Sequence, residues 1–120
     1  NICSNQGLYM LAATVYMATM GKEGIKEVAE QSFQKAHYLA NEIKKIKGYS
    51  LLNDKPFFKE FLVKTPVPAK EITEAALKEG ILAGVDTSRF KNCKQGLLIA
   101  VTELRTKEEI DALLNVLRKF

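Results

Sequence analysis

A run of apolar residues from Leu8 to Met20 lies near the start of this 120-residue chain. It is rich in Ala, Leu and Met, which favour helix, and its apolar side chains surround the helix axis instead of forming one stripe. A helix that is apolar on every side is buried on all sides or meets another chain. Nothing obvious in the remaining sequence can cover every face, so we expect this helix to pack against a partner.

The same run is too short to cross a membrane, since a spanning helix needs about 20 apolar residues. No basic stretch precedes it, so no signal peptide is expected. The first residue is Asn1 rather than Met, which suggests a fragment or a trimmed chain. Two distant cysteines, Cys3 and Cys93, form no zinc or disulfide pattern and favour a reducing, cytoplasmic environment.

The composition is that of a globular protein, with 47% hydrophobic and 27% charged residues. The net charge of +4 comes mainly from lysine. Proteins that bind nucleic acid usually concentrate arginine and lysine on one face. Here the densest cluster ends a predicted helix, where cations favour the helix dipole. We therefore expect no nucleic-acid partner.

The remaining chain predicts one α+β domain. Apolar residues at steps of three and four predict a long helix over residues 25–47, which Gly48 ends. Further elements are predicted at residues 49–52 (strand), 57–64 (strand), 69–79 (helix), 81–85 (weak strand or loop), 96–102 (central strand) and 107–120 (helix). Such an order is typical of a small antiparallel or mixed sheet with helices on one face. The predicted core contains Ile25, Val28, Leu39, Ile43, Phe61, Val63, Leu98, Ala100, Ile110, Leu114 and Leu117.

Few residues in this sequence indicate chemistry. His37 is the only histidine, and we expect it to lie at the boundary of the buried face of its helix rather than to act as a catalyst. No catalytic triad, phosphate loop or metal-ligand spacing is present. Arg105 follows the predicted central strand, where a guanidinium could bind a carboxylate through two hydrogen bonds. A surface arginine beside Glu103 is an equally good interpretation.

Several strings, in this order, carry a family resemblance. They are residues 1–6 (Asn-Ile-Cys-Ser-Asn-Gln), 21–24, 34–38, 57–61, 80–84, 100–106 (Ala-Val-Thr-Glu-Leu-Arg-Thr) and 109–111. Together they resemble the C-terminal part of the P-protein family of the glycine cleavage system, glycine dehydrogenase (decarboxylating). Within that family, they are most similar to subunit 1 of the two-subunit microbial form.

The resemblance implies a fold-type I enzyme of the pyridoxal-phosphate class. Residues 1–24 would be the edge of the large domain and the connecting helix, and residues 25–120 the small C-terminal domain. The family decarboxylates glycine on pyridoxal phosphate and passes the aminomethyl group to the lipoyl group of H-protein. In the two-subunit form the lysine that holds the cofactor lies on subunit 2, so the resemblance implies no cofactor lysine on this chain. We also assign no catalytic residue and no metal to it. Alone, it is expected to be inactive.

Two expectations concern sites and partners. Asn1, Ser4 and Asn5 form a polar run before the apolar helix, and we expect them, with Arg105, near the active site of the whole enzyme. The expected partners are subunit 2 and H-protein, with self-association through Leu8 to Met20 in the isolated chain. The alternative is a free-standing α+β module that binds a small molecule or regulates. A gene extending upstream of Asn1 would favour the P-protein interpretation.

Overall fold

The computed structural model describes residues 6–53, 55–91 and 96–120. Asn1, Ser4 and Asn5, together with both cysteines, lie outside these residues. The elements are α1 (Gly7–Ile43), β1 (Ser50–Leu51), β2 (Glu60–Lys64), α2 (Ala69–Lys78), β3 (Val85–Asp86), β4 (Gly96–Ala100) and α3 (Lys107–Leu117). No helix in these described ranges is both long and apolar enough to cross a bilayer.

The long helix α1 contains both of the predicted leading helices, joined across a kink at Gly21. This residue has φ of 63° and ψ of −175°, which is not helical. Only glycine adopts this region at low cost. The kink separates the run Leu8 to Met20 from the helix predicted over residues 25–47, whereas Gly24 continues the helix. The helix ends at Ile43 instead of residue 47. Beyond it the hydrogen bonds span three residues, as in a turn, and one joins the Ile46 N–H to the Ile43 carbonyl oxygen (3.0 Å).

The four strands form an antiparallel sheet in the order β1-β2-β4-β3. The central pair joins β2 to β4 over five residues, with Phe61 opposite Ile99 and Val63 opposite Leu97. Buried residues from all three helices join these four side chains in one hydrophobic core. The α+β class, the antiparallel sheet and the helices on one face are therefore as the sequence predicts.

The predicted orientation of β4 was wrong. Leu97 and Ile99 face the core, at 0% and 2% exposure, whereas Leu98 (37% exposed) and Ala100 lie on the other face. A strand's side chains alternate between faces, so an error of one residue exchanges them all. The run in β4 is apolar throughout and carries no alternation from which its register could be predicted.

The core begins further along α1 than the sequence predicts. Ile25 is exposed and Val28 is half-buried, while the continuously buried part starts at Ser32 and Ala36. The preceding part of α1 extends away from the sheet. This explains a radius of gyration of 16.9 Å, against about 14 Å expected for a compact chain of this length.

Candidate functional site

The corner between β4 and α3 holds Arg105 in a fixed backbone position. Its N–H donates to the Thr102 carbonyl oxygen (3.2 Å). The following Thr106 accepts from the Glu109 N–H (3.2 Å), and the Glu109 carboxylate accepts from the Thr106 N–H (2.9 Å). This is a capping box, which satisfies amides that the first helical turn leaves free.

The Arg105 side chain lines a cavity of about 400 Å³ between α3, the end of β4 and the loop after α2. Its Nη1 lies 3.5 Å from Glu109 Oε1, and half of its side chain is exposed (51%). An arginine has five N–H donors, so one long contact leaves most of them available. The described geometry therefore allows a carboxylate to be bound here, in competition with Glu109; Glu79 also lines the cavity, but its ion-pair partner is Lys119.

The loop that forms one wall of this cavity approaches β4 very closely. At Gly84, with φ of 147°, an added Cβ would lie 2.3 Å from the Leu98 carbonyl oxygen. Only glycine fits there. On the same loop, Leu82 is 89% exposed at the edge of the cavity. The site thus combines a guanidinium with an apolar wall.

A buried serine on α1 fixes this corner from the other side. Ser32 Oγ donates to Glu103 Oε2 (3.3 Å) and accepts from the Glu103 N–H (3.0 Å). The Lys35 ammonium donates to the Glu103 carbonyl oxygen. Ser32 lies in the buried stripe of α1, among apolar residues such as Ala36 and Leu39. A polar residue within an apolar stripe was the signal that could have revealed this contact.

A second contact joins α1 to α3. Tyr38 Oη donates to Asp111 Oδ1 (2.8 Å), and the Lys107 ammonium donates to the other carboxylate oxygen. The hydrogen bond from Lys107, followed by that from Tyr38, lowers the pKa of Asp111. The same carboxylate raises the pKa of Lys107. Every group in the cluster has a partner, which indicates a structural role.

His37 is half-buried, in agreement with the boundary position that we predicted. Its ring lies between Phe33 (centroids 4.0 Å apart) and Phe57 (4.2 Å). Its Nε2 donates to the Phe57 carbonyl oxygen (3.1 Å). Both ring faces are covered by side chains of this chain. Among the described residues, no three His, Cys, Asp or Glu side chains gather as they would at a metal site.

Sequence comparison identifies relatives over almost the entire chain. A probable glycine dehydrogenase (decarboxylating) subunit 1 from Chlorobaculum parvum is 54% identical over 117 residues, and one from Carboxydothermus hydrogenoformans is 56% identical over 118. Each alignment covers 98% of this chain and 26% of the relative. The chain therefore spans about a quarter of the length of these curated relatives.

Solved structures agree with the sequence matches. A glycine decarboxylase (P-protein) of the glycine cleavage system, crystallised in inhibitor-bound form, superposes with a TM-score of 0.90 at 31% identity. That match covers 99% of this chain and 27% of the other. A phosphoserine aminotransferase from Cytophaga hutchinsonii superposes with a TM-score of 0.66 at 18% identity. The match covers 88% of this chain and 29% of the aminotransferase chain, and it shows a shared fold alone.

The decisive match is to a whole family rather than to single proteins. The family model described as glycine cleavage system P-protein covers residues 1–117. This range contains the sheet, the Arg105 corner and all of α3. The chain belongs to the glycine cleavage system P-protein family.

Proposed function

We propose that this chain is the C-terminal part of a subunit 1 of glycine dehydrogenase (decarboxylating), and that residues 25–120 form its small domain. Identity above 50% with curated subunits of that description supports the assignment. The superposition on a glycine decarboxylase (P-protein) over 99% of the chain, with a TM-score of 0.90, supports the assignment to a P-protein.

The proposed activity is that of the whole enzyme. It decarboxylates glycine and transfers the aminomethyl group to the lipoyl group of H-protein, with subunit 2 as the second component. Pyridoxal phosphate, where bound, supplies an electron sink for the carbanion. The Arg105 cavity does not fit a cofactor held by a lysine, since its charged lining residues are Glu79, Arg105 and Glu109. From the family resemblance, the cofactor lysine is proposed to lie on subunit 2.

Within that enzyme, Arg105 is proposed to bind a carboxylate of the substrate or of the partner subunit. The fixed backbone of its corner and the exposed guanidinium support this role. Asn1, Ser4 and Asn5 are proposed to lie on the active-site side of the enzyme. The whole enzyme is proposed to be cytoplasmic. Both parts of the proposal rest on the family resemblance and on sequence.

The first part of α1 is proposed to belong with the large domain, as residues 1–24. Large apolar side chains along it are exposed, including Leu8 (75%), Leu11 (59%) and Val15 (56%). Exposed apolar surface of this extent usually has a partner. In the complete enzyme the partner is proposed to be the large domain, and in the isolated chain a second copy.

The test uses the full-length protein that carries this chain, purified with subunit 2 and lipoyl H-protein. Release of carbon dioxide from the glycine carboxyl group is measured with both subunits and with each alone. We expect release only when both are present. Equal release by subunit 2 alone, or none from a correctly assembled pair, would contradict the proposal.

A further inference from the structure

A second cavity, of about 370 Å³, lies between the end of α1 and the loop that joins β1 to β2. It shares no lining residue with the Arg105 cavity. Nothing in the proposed reaction uses it. Its lining is unusually rich in groups that donate hydrogen bonds.

The polar lining comes from two elements. On α1, His37, Asn41 and Lys44 follow at steps of four and three, so they share one helix face. From the loop, Asn53 and Lys55 line the same cavity. Two lysines therefore line this cavity, and no acidic side chain is among the described lining residues.

The two lysines of this lining have no charged partner in the described part of the chain. Neither Lys44 nor Lys55 has an ion-pair partner there, unlike the neighbouring Lys45, whose ammonium lies 2.5 Å from Glu42. Asn53 Oδ1 accepts from the Lys55 N–H (3.1 Å), which leaves the Asn53 amide N–H groups free to donate. Two ammonium groups without an ion-pair partner and one amide therefore line the same cavity.

The walls between these donors are firmly held. Phe57 stacks on His37 at an interplanar angle of 7° and accepts its hydrogen bond, which ties the loop to α1. The fully buried Ala40 and half-buried Leu51 complete the lining. The donors are therefore carried on two elements whose separation is fixed.

Complementing the helix dipole is the simpler explanation for Lys44, which caps the carboxyl end of α1. It does not explain Lys55, which reaches the same cavity from the loop. The carboxyl end of a helix carries a partial negative charge, which by itself disfavours a bound anion. One lysine is enough to offset this partial charge, so the second lysine leaves a net positive charge at the cavity.

We propose that this cavity binds a small oxyanion, either a phosphate or a carboxylate group, between Lys44 and Lys55. Oxyanions accept charge-assisted hydrogen bonds from ammonium and amide donors. The site is independent of the proposed glycine reaction, so each can fail without the other.

The experiment records amide NMR spectra of the chain during titration with inorganic phosphate or succinate, at ionic strength held constant with sodium chloride. We expect saturable shifts confined to residues around the cavity. K44A and K55A should each weaken the affinity about fivefold, because each loses a charge-assisted hydrogen bond. K78A removes an exposed lysine from α2 and should leave the affinity unchanged.

Saturation by phosphate alone would identify a phosphate site, and saturation by succinate alone would identify a carboxylate site. Saturation by both would identify a site that accepts either oxyanion. Shifts that never saturate, or that spread over all lysine-bearing surfaces, would overturn the proposal. So would an unchanged affinity in K44A and K55A.

Discussion

Ser32 on α1 and Glu103 after β4 are joined by two hydrogen bonds, although they lie 71 positions apart in sequence. The serine hydroxyl accepts from the Glu103 backbone and donates to its carboxylate. This pair attaches the corner that carries Arg105 to the longest helix. The position of the candidate site thus depends on a residue that lies within the helix's core stripe.

Replacing Ser32 with alanine should lower the free energy of unfolding by about 1–3 kcal/mol, because the Glu103 N–H loses its acceptor in a part-buried position. Chemical denaturation measures the change. S50A, in the exposed part of β1, is the control and should change stability little. Equal stability of S32A and S50A would contradict a structural role for the pair.

Tyr49 should make stability fall at high pH. Burial raises its pKa to about 12 from 10.0, so the unfolded state loses its proton first as the pH rises. The stabilisation is complete below pH 10 and is lost between pH 10 and 12. Denaturation across this range should show a weaker decline in Y49F, whereas Y9F, at an exposed tyrosine, should decline like the parent.

The same Y49F change should also lower stability at neutral pH, by about 1 kcal/mol, since the hydroxyl donates to the Leu117 carbonyl oxygen (3.0 Å). A variant as stable as the parent at pH 7 would argue against this hydrogen bond.

Asp111 should respond to the loss of either partner. The hydrogen bonds from Lys107 and Tyr38 favour its carboxylate and lower its pKa, so its contribution to stability is present above the ordinary aspartate pKa. That contribution is lost as the pH falls through the lowered value. Y38F should raise the pKa of Asp111, and K107A should raise it further, because the Lys107 bond is the larger cause. Carboxyl NMR titration measures both, and Y16F should leave the value unchanged.

Arg105 should be required as an arginine rather than as a positive charge. In the full-length protein with subunit 2, R105K keeps the charge but loses the planar pair of donors. We expect the rate of glycine decarboxylation to fall about tenfold or more, which corresponds to a loss of about 1.4 kcal/mol of transition-state stabilisation. The subunits should still assemble. R118K is the matched control. If R105K retains full turnover, Arg105 is an ordinary surface residue.

The leading part of α1 should drive self-association of the isolated chain. Replacing Leu11 and Val15 with lysine should give a monomer by light scattering, because charges would interrupt the apolar surface. L77K changes an exposed leucine on α2 (61% exposed) and should leave association unchanged. Circular dichroism confirms that the helices persist. A parent chain that stays monomeric at high concentration would refute this prediction.

Local features of the sequence determined much of this fold. Gly21 produced the kink because few other residues tolerate its backbone conformation, and Thr106 with Glu109 formed the capping box from four consecutive residues. The period of the helices and the apolar run of β4 gave the element types. The strings shared with the P-protein family indicated the family, which the comparisons confirmed.

Only the tertiary structure decided which surfaces meet. The face of β4 that is buried depends on its register with β2, and a strand of uniform hydrophobicity leaves that choice to pairing. Ile25 and Val28 fit the helical period, yet they extend past the edge of the core and remain exposed or half-buried. Ser32 contacts Glu103, which is distant in sequence, and Lys44 and Lys55 line one cavity from separate elements. Periodicity describes one element at a time, and such contacts arise only when elements pack.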